Sequence, residues 1–225
     1  MKAHSFIYLI IYSCFIMSVS LQAQEHFADR YNVSYITMDD GLPHNFIDDI
    51  YKDTRGFLWI STAGGGLSRY DGYEFIHFNP NTPHSKLKSN FIHNVYEDRF
   101  HRLWIVSEGG TDIIDLSTLQ SVIPNDPKGL LPRFINHPTY IVILDSQGCI
   151  WLQCDNALHR ITFDAEGGID TLSTLDLPEQ DEPDLILKDI DEDGKIWTGI
   201  NGTIYKITPT PQGQLEKSSI SEQLN

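Results

Sequence analysis

The apolar positions of this chain come in short runs separated by turn residues, not in helical stripes. The first clear series is Ile47–Lys52, a turn at Thr54-Arg55-Gly56, residues 57–62, a glycine turn, residues 67–70, a turn at Asp71-Gly72, and residues 73–78. β-branched and aromatic residues fill the runs while Gly, Asp and Asn fill the gaps, which predicts strands joined by hairpins. No 3.6-residue period competes over these windows. Farther along, residues 195–200 and 203–207 flank Asn201-Gly202. Asn-Gly tolerates the positive φ of a type I′ turn, so a two-residue hairpin is predicted there.

A longer period overlies the short one. All four tryptophans follow an Asp by six residues and an Ile or Leu by one: Asp53/Trp59, Asp98/Trp104, Asp145/Trp151 and Asp191/Trp197. The Trp spacings are 45, 47 and 46 residues. Asn45-Phe46-Ile47 recurs as Asn90-Phe91-Ile92, and Tyr51 recurs as Tyr96. A fixed period in this range marks a repeat architecture, and four short strands per period mark β-propeller blades. The fold class expected is therefore all-β, with about four four-stranded antiparallel blades. The boundaries read as blade 1 at 45–80, blade 2 at 81–125, blade 3 at 126–178 and blade 4 at 179–225. Residues 24–44 form a lead-in whose segment 31–37 is expected to be an outer closing strand. Each Trp is expected to fill the space between blades, and each Asp to shape a turn with the following Gly. In the second copy His101 stands where the others have Gly, so that turn is expected to be built differently.

Composition narrows the function classes. Lys and Arg number 16 against 31 Asp and Glu, a formal charge of −15, with no basic run. Nucleic acid is therefore not an expected partner, because phosphate binding needs clustered cations. Residues 1–23 carry Lys2, an apolar stretch and a terminal Ala23, which together read as a secretory signal peptide. A periplasmic protein with no direct membrane insertion after cleavage is expected. Cys149 and Cys154 lie five apart on one predicted strand, too poorly placed for a disulfide. The run Gly64-Gly65-Gly66 lacks the Lys-Ser/Thr of a phosphate loop and precedes a strand, so it is read as a hairpin turn. Asp189, Asp191, Asp193 and Gly194 imitate the start of a calcium loop, but Ile200 stands where the bidentate Glu belongs. The nine histidines show no metal spacing. No catalytic residue, metal or cofactor is therefore assigned.

The segment 38–72, MDDGLPHNFIDDIYKDTRGFLWISTAGGGLSRYDG, resembles the two-component regulator propeller repeat. Its Gly41-Leu42-Pro43-His44-Asn45 lead-in and the stretch from Asp53 to Asp71 carry the likeness, which extends with declining strength over roughly residues 31–207. The resemblance implies the periplasmic sensor region of hybrid two-component systems in Bacteroides-like bacteria, which sense oligosaccharides released from glycans. It implies a larger propeller and, beyond it, a membrane kinase. No kinase or DNA-binding segment is read in this chain, so it is expected to be a split or truncated product, or a free-standing propeller. Its expected partners are further blades or a membrane kinase. On propellers, ligands are expected to meet the loops leading into the first strand of each blade, here 40–45, 84–90, 135–140 and 181–184, together with the glycine, Asp155-Asn156 and Asn201-Gly202 turns. His44, Asn45, Lys88, Asn90 and His137 are the candidates for sugar hydroxyls or uronate carboxylates. The alternatives are a propeller enzyme of streptogramin-lyase type and a non-sensing interaction scaffold.

Overall fold

The computed structural model describes residues 34–83, 86–177, 186–191, 193–200, 203–210 and 212–219. The expected signal peptide at 1–23 and the Asn201-Gly202 turn lie outside them. The chain divides into Met1–Ile36 and Thr37–Asn225. Of the first unit only Ser34, Tyr35 and Ile36 are described; they are exposed and carry no strand. Of the strand expected over 31–37, then, the described part is not one. Thr37 is drawn instead into a capping box around the 3-10 turn Met38–Asp40, its N–H and hydroxyl both meeting the Asp40 carboxylate.

The second unit is all-β. Sheet one holds β1 (Ile47–Lys52), β2 (Leu58–Thr62), β3 (Gly66–Tyr70) and β4 (Phe75–Phe78), in that spatial order and antiparallel throughout. Sheet two holds β5 (Ile92–Glu97), β6 (Arg102–Ser107) and β7 (Gly110–Asp115). A short helix, α1 (Pro132–Ile135), leads to sheet three: β8 (Thr139–Leu144), β9 (Ile150–Cys154), β10 (Ala157–Phe163) and β11 (Ile169–Asp176). Sheet four holds β12 (Ile186–Ile190), β13 (Ile196–Ile200), β14 (Thr203–Pro209) and β15 (Leu215–Ser219).

Blade 2 departs from the four-strand expectation. Its fourth strand shrinks to one bridge, Ile114 opposite Ser121. Continued outward, that register sets Pro124 opposite Thr111, and a proline has no N–H to extend the ladder.

One carboxylate organises each β1–β2-type hairpin. Asp53 Oδ1 accepts the N–H groups of Arg55 and Phe57 at 3.0 and 2.9 Å, and its Oδ2 accepts Trp59 Nε1 at 2.9 Å. The same three bonds recur from Asp98 to Phe100, Arg102 and Trp104. They recur from Asp145 to Gln147, Cys149 and Trp151, and from Asp191 to Asp193, Lys195 and Trp197. Arg102 Nε joins Asp98 at 2.7 Å and Arg160 Nε joins Asp145 at 3.1 Å, so these two buried carboxylates also have counter-charges. The turn residue is left-handed every time: Gly56 at φ +93°, Gly148 at +77°, Gly194 at +75°, and His101 at +58°. The second turn is therefore built like the others, contrary to expectation. His101 accepts the unfavourable φ while its Nδ1 meets Glu97 Oε1 at 2.8 Å.

The cores lie between sheets. Trp59, Leu67 and Phe78 of blade 1 pack with Ile92, Val95 and Ile105 of blade 2. Trp104 and Ile113 of blade 2 pack with Val142, Leu152 and Ile161 of blade 3. Trp151 and Leu158 of blade 3 pack with Ile196 and Ile207 of blade 4. These three tryptophans are wholly buried, whereas Trp197 is only half-buried. The glycine run ties neighbours at the backbone: Gly64 and Gly66 both donate to the Asn90 carbonyl, at 3.1 and 2.9 Å. A Cβ on Gly66 would stand 2.4 Å from the Phe78 carbonyl oxygen, so no side chain fits there.

Trp104→Ala is expected to cost roughly 3–5 kcal/mol in urea unfolding. Trp104→Phe, which keeps a ring but not the indole N–H, should cost about 1–3 kcal/mol. Trp197→Ala should cost clearly less than Trp104→Ala, and equal costs would show that inter-blade burial is not what these rings supply. Cys149 and Cys154 are buried and form no disulfide. Burial pushes each thiol up to about 11, so little thiolate exists at pH 8. Cys149 and Cys154 should therefore stay unreacted toward a disulfide-exchange reagent in the native protein at pH 8, and both should react in denaturant, as peptide mapping of the labelled protein would show.

Candidate functional site

The first strands of blades 1 to 3 are β1, β5 and β8. Each is paired on one side only, to the second strand of its own sheet. Each ladder slips at the same place: between Ile47 and Asp49, between Ile92 and Asn94, and between Thr139 and Ile141. A slip of this kind is a β-bulge, one extra residue that re-aims a side chain. In blade 4 the slip falls between Leu187 and Asp189, closer to the Trp.

Side-chain parity shows where the extra residue goes. Ile92 and Val95 are three apart, yet both enter the core shared with blade 1. Asn94 turns the other way, to the Val142 backbone of blade 3, and Tyr96 packs against the core on that side. His93 is left on neither face. In blade 3, Thr139 and Val142 face blade 2 and Ile143 faces blade 4, so Tyr140 is the residue left over. Asp48 holds the corresponding place in blade 1 and is exposed. The His93 and Tyr140 rings lie 5.5 Å apart, tilted by 34°, side by side across the blade boundary. Among the described residues no partner meets His93 Nε2, a buried atom. Asp48, His93 and Tyr140 thus form a row on the unpaired edge: a carboxylate, an imidazole with a buried, unpartnered nitrogen, and an aromatic ring with a hydroxyl.

Polar rungs just beneath this row fix the spacing of the inner strands. Asn94 Nδ2 donates to the Val142 carbonyl at 2.9 Å, and its Oδ1 accepts the Val142 N–H at 3.1 Å. Asp49 stands at the same place in blade 1, and toward blade 2 it accepts the Val95 N–H, at 3.4 Å. A carboxylate cannot donate to the carbonyl, and burial raises the Asp49 pKa, against the smaller lowering by hydrogen bonds from Val95 and Ile50. Burial likewise pushes Tyr51 up to about 12.

The five residues singled out from sequence have mixed fates, and none of their side chains bonds another among the described residues. His44 Nδ1 accepts the Phe46 N–H at 3.0 Å, as Ser89 Oγ accepts that of Phe91, so it shapes the lead-in turn. Asn45 is exposed. The Asn90 carbonyl pins the glycine turn, and its buried Oδ1 meets no partner among the described residues. Lys88 turns away from the row, to Asp112 Oδ1 at 2.5 Å and the Thr111 carbonyl at 2.9 Å. His137 is exposed, and its carbonyl accepts the Thr139 hydroxyl. Asp191 and Asp193 spend their carboxylates on hairpin amides, the Trp197 indole and Lys195. Among the described residues no acidic, His or Cys group is placed to hold a metal, and no helix is long and apolar enough to cross a membrane.

Residues 41–64 and 86–109 match the family model of the two-component regulator propeller. In these two stretches the chain is similar to the two-component regulator propeller repeat. The matched stretches run from the lead-in through the Asp–Trp hairpin of blades 1 and 2, so the repeat includes both the bulge and the carboxylate that holds the indole. Two solved structures share the propeller fold. Both are extracellular domains described as belonging to hybrid two-component systems of B. thetaiotaomicron. The first is 19% identical, with a TM-score of 0.61 over 82% of this chain and 26% of that domain. The second is 24% identical, with a TM-score of 0.54 over 80% and 25%. The chain thus spans about a quarter of the length of either. A streptogramin B lyase also shares the fold, at 17% identity and a TM-score of 0.53 over 79% of this chain and 55% of the lyase. No curated protein matches the chain.

Asp49→Asn is expected to raise stability by about 0.5–1.5 kcal/mol at pH 7, by adding the second rung bond and removing a desolvated charge. Because the folded Asp49 pKa is raised, its carboxyl opposes folding once ionised. The charge part of the Asn advantage should therefore be full above the folded pKa, shrink as pH falls from there to the unfolded value of 3.8, and be absent below it. Urea unfolding at pH 7 and pH 3 measures it, and no gain at pH 7 would remove Asp49 as a weak rung.

Proposed function

We propose that this chain is the extracytoplasmic ligand-sensing propeller of a two-component signalling system, exported through the signal peptide at 1–23, and that it binds and does not catalyse. The match of the regulator-propeller repeat over 41–64 and 86–109 carries this reading. Its partners are further propeller blades or a membrane kinase, and its ligand is a small oligosaccharide derived from glycans. The row Asp48, His93 and Tyr140 supports a sugar: a phenol ring offers an apolar face to a pyranose, and the carboxylate and imidazole offer hydrogen bonds to hydroxyls. Repetition fixes the blade frame while the bulge residue differs in each blade, so chemical selectivity is concentrated where the repeat varies. Asn45 and His137, both exposed on the lead-in loops, extend the same face in this proposal, with His44 and Asn90 holding the turns beneath them. Lys88 belongs to another place.

The test is calorimetric titration of the purified chain against a panel of plant, host and microbial oligosaccharides. One glycan class should bind, and Tyr140→Ala and His93→Ala should each weaken it by roughly ten-fold or more, about 1.4 kcal/mol. No binding across the panel defeats the oligosaccharide reading; binding that ignores both substitutions defeats the row as its site. The lyase likeness gives a second reading, which the unpartnered His93 nitrogen favours as a place for a base once the site opens to substrate. Mass-spectrometric detection of streptogramin ring opening, abolished by His93→Ala, would establish that reading instead.

A further inference from the structure

Blade 2 has a second feature that neither the row nor the repeat uses. In blade 1 the outer edge of β3 is covered by β4, with Leu67 opposite Phe78 and Arg69 opposite Ile76. The matching residues of β7 are Thr111 and Ile113, since Arg69 pairs with Trp59 and Ile113 with Trp104. Beyond the bridge at Ser121 they have no strand beside them. A cavity of about 210 Å³ occupies the place instead. Ile113, Val122, Ile123 and Ile135 supply its apolar wall, with Lys86 and the Lys88–Asp112 pair beside them.

The hydrogen-bonding state of that edge is asymmetric. Residues on a strand point their N–H and C=O to the same side. The Ile113 carbonyl points outward, because it accepts the Val122 N–H at 2.9 Å. The Thr111 carbonyl points outward too, and Lys88 Nζ occupies it at 2.9 Å. The Ile113 N–H therefore also faces the cavity, and among the described residues no acceptor meets it. Ile113 is only 4% exposed, and a buried unpaired amide is costly. An added β-strand needs acceptors as well as donors, and both outward carbonyls are already taken. What remains is one amide donor and the ammonium of Lys86, which is exposed and in none of the ion pairs among the described residues. Two lysines against one aspartate leave the cavity with a single positive charge, on a chain of net charge −15.

We propose that this cavity is a binding site for a small aliphatic carboxylate. The carboxylate oxygens accept from the Ile113 N–H and from Lys86, and the aliphatic body lies against Val122, Ile123 and Ile135. The volume is below the roughly 300–1,000 Å³ of drug-sized ligand pockets, so the body is no larger than that of a short branched acid. The same chemistry is offered by a free acid and by the C-terminal residue of a peptide.

The experiment is a titration of the full, nitrogen-labelled chain with isovalerate, followed at the Ile113 amide resonance. A saturable, localised shift with a Kd of about 1 mM or tighter is expected. Isopentanol, the same body without the carboxylate, should bind at least ten-fold more weakly, and Lys86→Ala should weaken isovalerate several-fold while Lys86→Arg retains it. Lys86 is exposed, so these variants do not threaten folding. No saturable shift, an equal response to the alcohol, or indifference to Lys86→Ala would each overturn the proposal. Gly-Gly-Val and its C-terminal amide separate the sources. Tighter binding of the free tripeptide than of isovalerate, lost on amidation, assigns the site to chain ends. Weaker binding of the tripeptide assigns it to free acids.

Discussion

A hydrogen bond between an indole N–H and a carboxylate six residues earlier holds each blade in register. The Asp serves three donors at once: two amides of the hairpin turn and the indole that crosses back over it. Taking a carboxylate to 2–4% exposure, as at Asp53, Asp98 and Asp145, is costly unless its lone pairs are filled, and here they are. The bond fixes the Trp rotamer, and the Trp is the largest side chain in each space between blades. Local turn chemistry thereby sets how one sheet meets the next. A propeller built this way has no central core. Its apolar clusters lie between blades, each completed by a neighbour.

The inner edge obeys a different constraint. Side chains at Asp49 and Asn94 reach the backbone of the next blade, so successive inner strands are pinned by polar rungs just where the bulges begin. The bulge adds one residue without disturbing either face, because Ile92 and Val95 both keep their place in the core. The result is a row whose members can change identity at little cost to packing. A scaffold repeated for stability thereby carries positions that are not repeated.

Much of this was legible in the sequence. The Asp and Trp positions announced the blades, and the strand runs of blade 1 fall within two residues of their expected bounds. The indole bond was not legible, since six residues of separation gives no contact until the hairpin folds. The bulges were hidden for a related reason: a register slip is a property of two strands, and its one local trace is a pair of apolar residues three apart where alternation expects two. His101 misled in the opposite sense, because a backbone conformation that favours glycine was imposed on a histidine by the surrounding bonds. In blade 2 the signal was present in Pro124, a residue that cannot donate to a ladder. The five residues chosen for binding were taken from lead-in loops. The structure shows two of them, His44 and Asn90, engaged in turns, while Lys88 reaches a separate cavity.

The separation of the cores into three inter-blade clusters also bears on how such a chain diversifies. A change within one cluster is felt by two blades and is shielded from the remaining cluster beyond them, so damage stays local, as in other nearest-neighbour arrays. Whole blades can then be duplicated, lost or exchanged as heritable units, provided the incoming copy keeps its Asp, its Trp and a left-handed turn. The inner bulge travels with the unit and brings one new side chain to the axis. Acquiring a different chemical vocabulary becomes a matter of recombining blades, with no need to redesign the fold.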